Sequence, residues 1–240
     1  RDIGYGILRM DREQKWNPYY LGNPVWAFLL MVGFEWGVML HDLEAENIVA
    51  GKRKWTDIKG LVKGMWRKAS KRVLKDYIVF PALSGPFFLP TLLGNASANL
   101  VRNLWAYSII FCGHFPTGAQ TFTAEECKDE TRGQWYLRQM LGSANITGSS
   151  LFHIMSGNLS HQIEHHLFPD IPASRYPTIS EDVQAICEKY GLPYNTGPLH
   201  QQLASTWSKI AKLSLPNFFM TSDDNDLTVI VEREKSAGVA

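Results

Sequence analysis

The chain has 240 residues, 45% of them hydrophobic, and a formal net charge of +1. That is enough apolar material for one large domain or two small ones, and the charge balance gives no sign of a nucleic-acid partner. Cys112, Cys127 and Cys187 are widely spaced and form no C-x-x-C pair, so neither a disulfide framework nor a cysteine zinc site is indicated.

The first residue is Arg1, neither an initiator methionine nor the opening of a signal peptide, so the sequence reads as a piece of something longer. The first apolar run, Val25 to Leu40, is interrupted by Gly33, Glu35 and Gly37. At about 16 residues it is short for a bilayer crossing and predicts a helix lying along or dipping into the interface. His41 follows it alone, in His-Asp-Leu-Glu-Ala. Lys52 to Lys75 then holds ten of the 24 basic residues against one acid, Asp57. Within it Trp55, Ile58, Val62, Met65, Trp66 and Ala69 recur at three- and four-residue steps, the pattern of an interfacial amphipathic helix. The positive-inside rule places it on the cytoplasmic face. Arg53, Lys54, Arg67, Lys68 and Arg72 are candidates for meeting lipid phosphate or an acidic partner, or are a plain solvated face.

From Tyr77 to Val101 there are 25 residues with no ionisable group but the tyrosine, which predicts a membrane helical hairpin. One leg covers roughly 77–93, a polar tip falls at Gly94 to Asn99, and the return leg ends near His114. Pro81, Pro86 and Pro90 predict kinks in the first leg.

The densest chemistry lies at 158–169, Asn-Leu-Ser-His-Gln-Ile-Glu-His-His-Leu-Phe-Pro, where three of the seven histidines fall within six positions. Read as a helix continued from Leu151 to Met155, this stretch stacks His161 over His165 and Gln162 over His166, since residues four apart share a face. His165 and His166 point about 100° apart, an arrangement better suited to two ions than to one, and Pro169 stops the helix near Phe168. Neighbouring imidazoles in an apolar helix are costly to bury without partners, and nitrogen ligation without thiolate suits iron, zinc or copper. His153 and His200, each alone, read as hydrogen-bonded core residues. Beyond Pro169 a helix starts at Ser180 and closes at Gly191, and another opens at Pro198 and runs to about Lys212. Residues 221–240 read as a disordered tail.

These motifs resemble the membrane fatty acid desaturases. Gln162-Ile163-Glu164-His165-His166-Leu167-Phe168-Pro169 is similar to that family's third histidine box in its glutamine-led form, with Met155-Ser156-Gly157-Asn158-Leu159 leading into it. Gly113-His114-Phe115-Pro116 resembles the additional histidine the family carries at the end of a membrane helix. The likeness extends from about Asp2 to Leu213 and is nearest to actinobacterial acyl desaturases. It implies an all-α fold: interfacial or cytoplasmic helices over 1–76, a transmembrane hairpin over 77–113, and a cytoplasmic helical cap over 114–220 carrying the histidine-box metal site. It implies two iron ions, with His165 and His166 as ligands central to catalysis, His114 a further ligand, Gln162 a ligand or the holder of a water, and His161 a ligand or an outer donor. Asn158 orients either neighbour or stabilises the helix. The implied reaction is oxygen-dependent desaturation of a fatty acyl chain, on coenzyme A or a lipid, at an integral membrane site facing the cytoplasm. Electrons come from a separate ferredoxin or oxidoreductase.

The family's first two boxes, H-x-x-x-H and H-x-x-H-H, are absent from these residues. They are expected upstream of Arg1, leaving this chain inactive alone and a weak iron binder. Two other functions stay open: an acyl or alkane hydroxylase using the same metal, and a zinc metallopeptidase, since His161-Gln162-Ile163-Glu164-His165 satisfies H-x-x-E-H with Glu164 as general base.

Overall fold

The computed structural model describes residues 7–41, 54–122 and 127–220. The expected tail over 221–240, with Arg53 and the start of the basic stretch, lies outside them. The described residues are mostly helical, as expected, and fall into two compact units: Leu8–Pro24 with the chain from Ser108 onward, and Val25–Tyr107.

In the Val25–Tyr107 unit the first apolar run is two helices, α1 (Asn23–Val32) and α2 (Phe34–His41), divided at Gly33. The basic stretch forms α3 (Trp55–Leu74), about 30 Å long at 1.5 Å per residue. Its expected apolar stripe is partly right. Ile58 is buried and Val62, Met65 and Ala69 are half-buried, but Trp66 is 75% exposed. After α3 the backbone widens into a π turn, Lys75–Val79, in which Phe80 N–H reaches the Lys75 carbonyl. Pro81 has no N–H to continue an α ladder, and the widening carries the chain past it. A single turn, α4 (Phe80–Leu83), ends at Ser84, and a 3₁₀ turn follows at Gly85–Phe87. Gly85 sits at φ +57°, which a residue without Cβ adopts readily.

The expected hairpin is corrected at this point. Residues 94–99 are not a tip but the middle of one unbroken helix, α5 (Phe88–His114), and the reversal falls at 84–87 instead. Pro90 lies in the first turn of α5, where its missing N–H goes unused. The polar residues mistaken for a tip are a stripe that ties helices together. Asn95 donates to the Asp76 carbonyl at 2.6 Å, Asn99 to the Tyr77 hydroxyl at 3.0 Å and Asn103 to the Val32 carbonyl at 2.8 Å. Glu35 meets Arg72 at 3.1 Å and Arg102 at 2.5 Å. That stripe dilutes the apolar content of α5, and no helix among the described residues is both long and apolar enough to cross a membrane.

The other unit contains the end of α5, α6 (Arg132–Leu141), β1 (Asn145–Thr147), α7 (Ser150–Met155), α8 (Gln162–Leu167), α9 (Tyr176–Tyr190), β2 (Thr196–Pro198) and α10 (Leu199–Leu213). Thr131 caps α6 in a reciprocal box with Gln134. The start of α9 is Tyr176 rather than Ser180, with Pro177 at its first turn, while Gly191 closes it in the left-handed conformation as expected. β1 and β2 pair in parallel, Asn145 opposite Thr196, a feature the helical reading missed. Met140, Leu141, Ile163, Leu167, Val183 and Cys187 form the core that joins α6, α8 and α9. Arg9, fully buried, fastens the segment before α1 to the end of α10 by donating to the carbonyls of Gln14, Leu213, Leu215 and Arg12 and to the Asn217 side chain.

Candidate metal centre

The histidine-rich segment is not one helix. Between α7 and α8 the chain turns through Gly157 at φ +64° and Asn158 at φ +58°, the left-handed conformation in which glycine and asparagine end helices. Asn158 therefore terminates α7. His161 becomes the residue preceding α8, with φ −96° and ψ 62°, and does not stack beneath His165. Its ring lies 4.6 Å from that of His153, whose Nδ1 is 2.7 Å from Ser160 Oγ. His153 thus belongs beside the histidine cluster, while His200 is exposed on α10 and not in a core. Burial, with His153 alongside, pulls the His161 pKa down to about 4 and keeps the ring neutral. Its Nε2 is buried with no hydrogen-bond partner. Glu164 Oε2 stands 3.9 Å from His161 Nδ1, too far for a hydrogen bond, and a neutral ring forms no ion pair with it.

Four of the five expected donors come together. His114 closes α5, and its Nε2 is 3.2 Å from the Gln162 side-chain nitrogen. The ring centres of His114 and His166 are 5.0 Å apart, and those of His165 and His166 are 5.9 Å apart and nearly perpendicular. The approach of α8 depends on Gly113, where a Cβ would come within 2.9 Å of Gln162 Cγ. His166 Nδ1 lies 3.1 Å from the Gln139 side-chain oxygen, an acceptor only, so the proton sits on Nδ1 and Nε2 is the unprotonated nitrogen. His165 Nδ1 lies 3.2 Å from the Tyr176 hydroxyl, which itself points to the Phe168 carbonyl at 3.5 Å and so accepts from the ring. Burial also lowers the His165 pKa. Both rings are thereby held neutral, with one nitrogen tied to an outer partner, as metal-ligating histidines are.

This set fits iron in its chemistry: imidazole nitrogen with an amide, outer hydrogen bonds in place, and no oxidisable thiolate. The fit is partial. Among the described residues no group of three or more His, Cys, Asp or Glu side chains is arranged to hold a metal ion. Sequence reasoning missed Gly113 as a spacer, although a glycine directly before a helix-ending histidine was a readable signal. It also missed Gln139 and Tyr176, for which no local signal exists.

Glu164 behind the pair is fully buried. Asn145 Nδ2 donates to its Oε2 at 2.8 Å and the Tyr194 hydroxyl to its Oε1 at 2.9 Å. Burial raises its pKa against those bonds. With both oxygens engaged it is not placed to take a proton from a metal-bound water, and His161 and His165 do not share one helical face, so the zinc-peptidase arrangement is overturned. An open cavity of about 530 Å³ adjoins the end of α8, lined by Arg132, Trp135, Tyr136, Phe168 and Asp170 among others.

A family model described as fatty acid desaturase matches residues 1–198. The NADPH-dependent stearoyl-CoA 9-desaturase of Mycobacterium tuberculosis is 46% identical over 229 residues, covering 94% of this chain and 54% of that protein. The sn-1 linoleoyl-lipid 6-desaturase of Synechocystis is 26% identical, covering 81% and 55%, and fatty acid desaturase 3 of Bos taurus 31%, covering 66% and 32%. The chain thus spans about half the length, or less, of these curated relatives. No solved structure matches it.

Proposed function

Since the chain belongs to the fatty acid desaturase family, we propose that it forms part of the di-iron site of an oxygen-dependent acyl desaturase, completed by ligands from outside these 240 residues. The observation that carries this reading is the paired outer hydrogen bonding of His165 and His166, to Tyr176 and Gln139, beside His114. His165 and His166 hold iron through Nε2, His114 and Gln162 stand next to them, and His161 is the reserve donor with its buried Nε2. Iron, when bound with oxygen and two external electrons, supplies the oxidising power to remove hydrogens from an unactivated chain, which side chains lack. The protein's own contribution is to fix ring orientation and tautomer and to exclude thiols.

The substrate in this reading is a fatty acyl group carried on coenzyme A or a lipid; the mycobacterial relative's name specifies stearoyl-CoA. Electrons come from a separate ferredoxin or oxidoreductase. The unit with α3 to α5 holds the protein at a membrane, the metal site lying on the cytoplasmic side. Support comes from its exposed apolar side chains, among them Leu83 at 78% and Phe87 at 66%, directly after the lysine-rich α3.

The test expresses the complete gene in membranes with a reductase system and profiles fatty acids by mass spectrometry. New monounsaturated products that fall at least about a thousandfold, some 4 kcal/mol of barrier, in His165→Ala and His166→Ala are the expected result. Hydroxylated products instead assign the acyl hydroxylase chemistry, and turnover untouched by both substitutions removes the ligand roles.

A further inference from the structure

We infer that Asn145, Tyr194 and Glu164 form a buried clamp that positions the histidine pair, an inference that rests on the ligand roles proposed above. α8 has only six residues, too few for a helix to hold its own shape in water. The directions of His165 and His166 must therefore be imposed from outside the helix. Glu164 immediately precedes them, and each of its oxygens accepts one bond, from Asn145 and from Tyr194. Asn145 is the hub. Its Oδ1 accepts from the Ile163 backbone N–H at 2.9 Å, and its Nδ2 donates both to Glu164 and to the Tyr194 hydroxyl, the latter at 2.6 Å.

Asn145 is itself fixed. It lies on β1, its backbone N–H donates to the Asn195 carbonyl at 2.8 Å, and the next residue, Ile146, donates to the Ser160 carbonyl at 2.8 Å. The two strands thus hold Asn145 and Tyr194 in register, and the pair grips both the backbone and the carboxylate of α8. Ile163 and Leu167 bury the neighbouring positions in the core, so the remaining faces of the helix carry Gln162, His165 and His166. Glu164 is a positioning residue in this arrangement. The acid inside the box supplies rotation and depth to the imidazoles, which Gln139 and Tyr176 then fix at Nδ1.

Replacing Glu164 by glutamine keeps its shape but turns one acceptor oxygen into a donor facing donors. In the full chain, ¹⁵N spectra of the histidine rings report the tautomers of His165 and His166 without metal, and Co(II) absorption reports the imidazole site. Glu164→Gln is expected to turn the single Nδ1–H tautomer of both rings into a mixture and to weaken Co(II) binding about tenfold. Tyr194→Phe, which removes one bond and keeps the ring, gives a smaller shift of the same kind. Val183→Ala in the neighbouring core lowers thermal stability and leaves the ring signals in place. Ring signals unchanged in Glu164→Gln, or shifted equally by Val183→Ala, overturn the clamp. Absence of desaturated product from the wild-type gene, with the ring shifts as expected, removes the proposed function and leaves the clamp standing.

Discussion

The histidine-bearing unit and the α3–α5 unit solve opposite problems. In the first, short elements are held by buried polar side chains with named partners: Arg9, Asn145 and Glu164 are all at most 4% exposed. In the second, long helices carry their own backbone ladder, while apolar side chains such as Leu83, Phe87, Leu89 and Leu93 stand in the open. Polar closure inside and apolar surplus outside show where each unit's free energy comes from. The metal-binding half is stabilised by its own hydrogen bonds, and the other half has an unmet demand for an apolar environment.

The sharpest way to break this contrast is Arg9→Leu. It leaves four carbonyls and an amide oxygen without their donor, with an expected loss of about 3 kcal/mol read by denaturant titration. A loss below about 1 kcal/mol means that the buried polar network is not what holds this unit. Next comes Gly113→Ala, which puts a methyl group 2.9 Å from Gln162 Cγ. The expected cost is about 1–3 kcal/mol of stability, together with weaker Co(II) binding from displacement of Gln162 from His114. Stability lost with metal affinity intact shows that the close approach serves packing alone. The smallest effect on folding is expected for Leu83→Glu with Phe87→Glu: within about 0.5 kcal/mol in each case, since both side chains are already exposed. Vesicle co-flotation drops several-fold in the same variant, and co-flotation unchanged severs this surface from lipid.

The donors of the site were legible because their spacing is local. Gln162, His165 and His166 sit within one helix, and His114 announces itself at the end of a long apolar run. His161 was misplaced because an apolar run was carried through Ser156-Gly157-Asn158, where Gly157 and Asn158 take positive φ and stop the helix. The same weighting of polarity over propensity turned 94–99 into a tip, when asparagines spaced four apart serve as a stripe along α5. β1 and β2 are three residues each, too short for an alternating pattern to register. The partners of Glu164 lie 19 and 30 residues away, a pairing that only the folded chain makes visible.

The π turn at Lys75–Val79 acts as a one-residue phase shifter. An i-to-i+5 bond stores one residue more than an α turn, so deleting a single residue there would let the helix close normally and swing everything that follows by about 100°. The chain is consequently intolerant of length change at this point by reason of azimuth rather than energy: Phe80 and Leu83 would face wherever the shortened screw carried them.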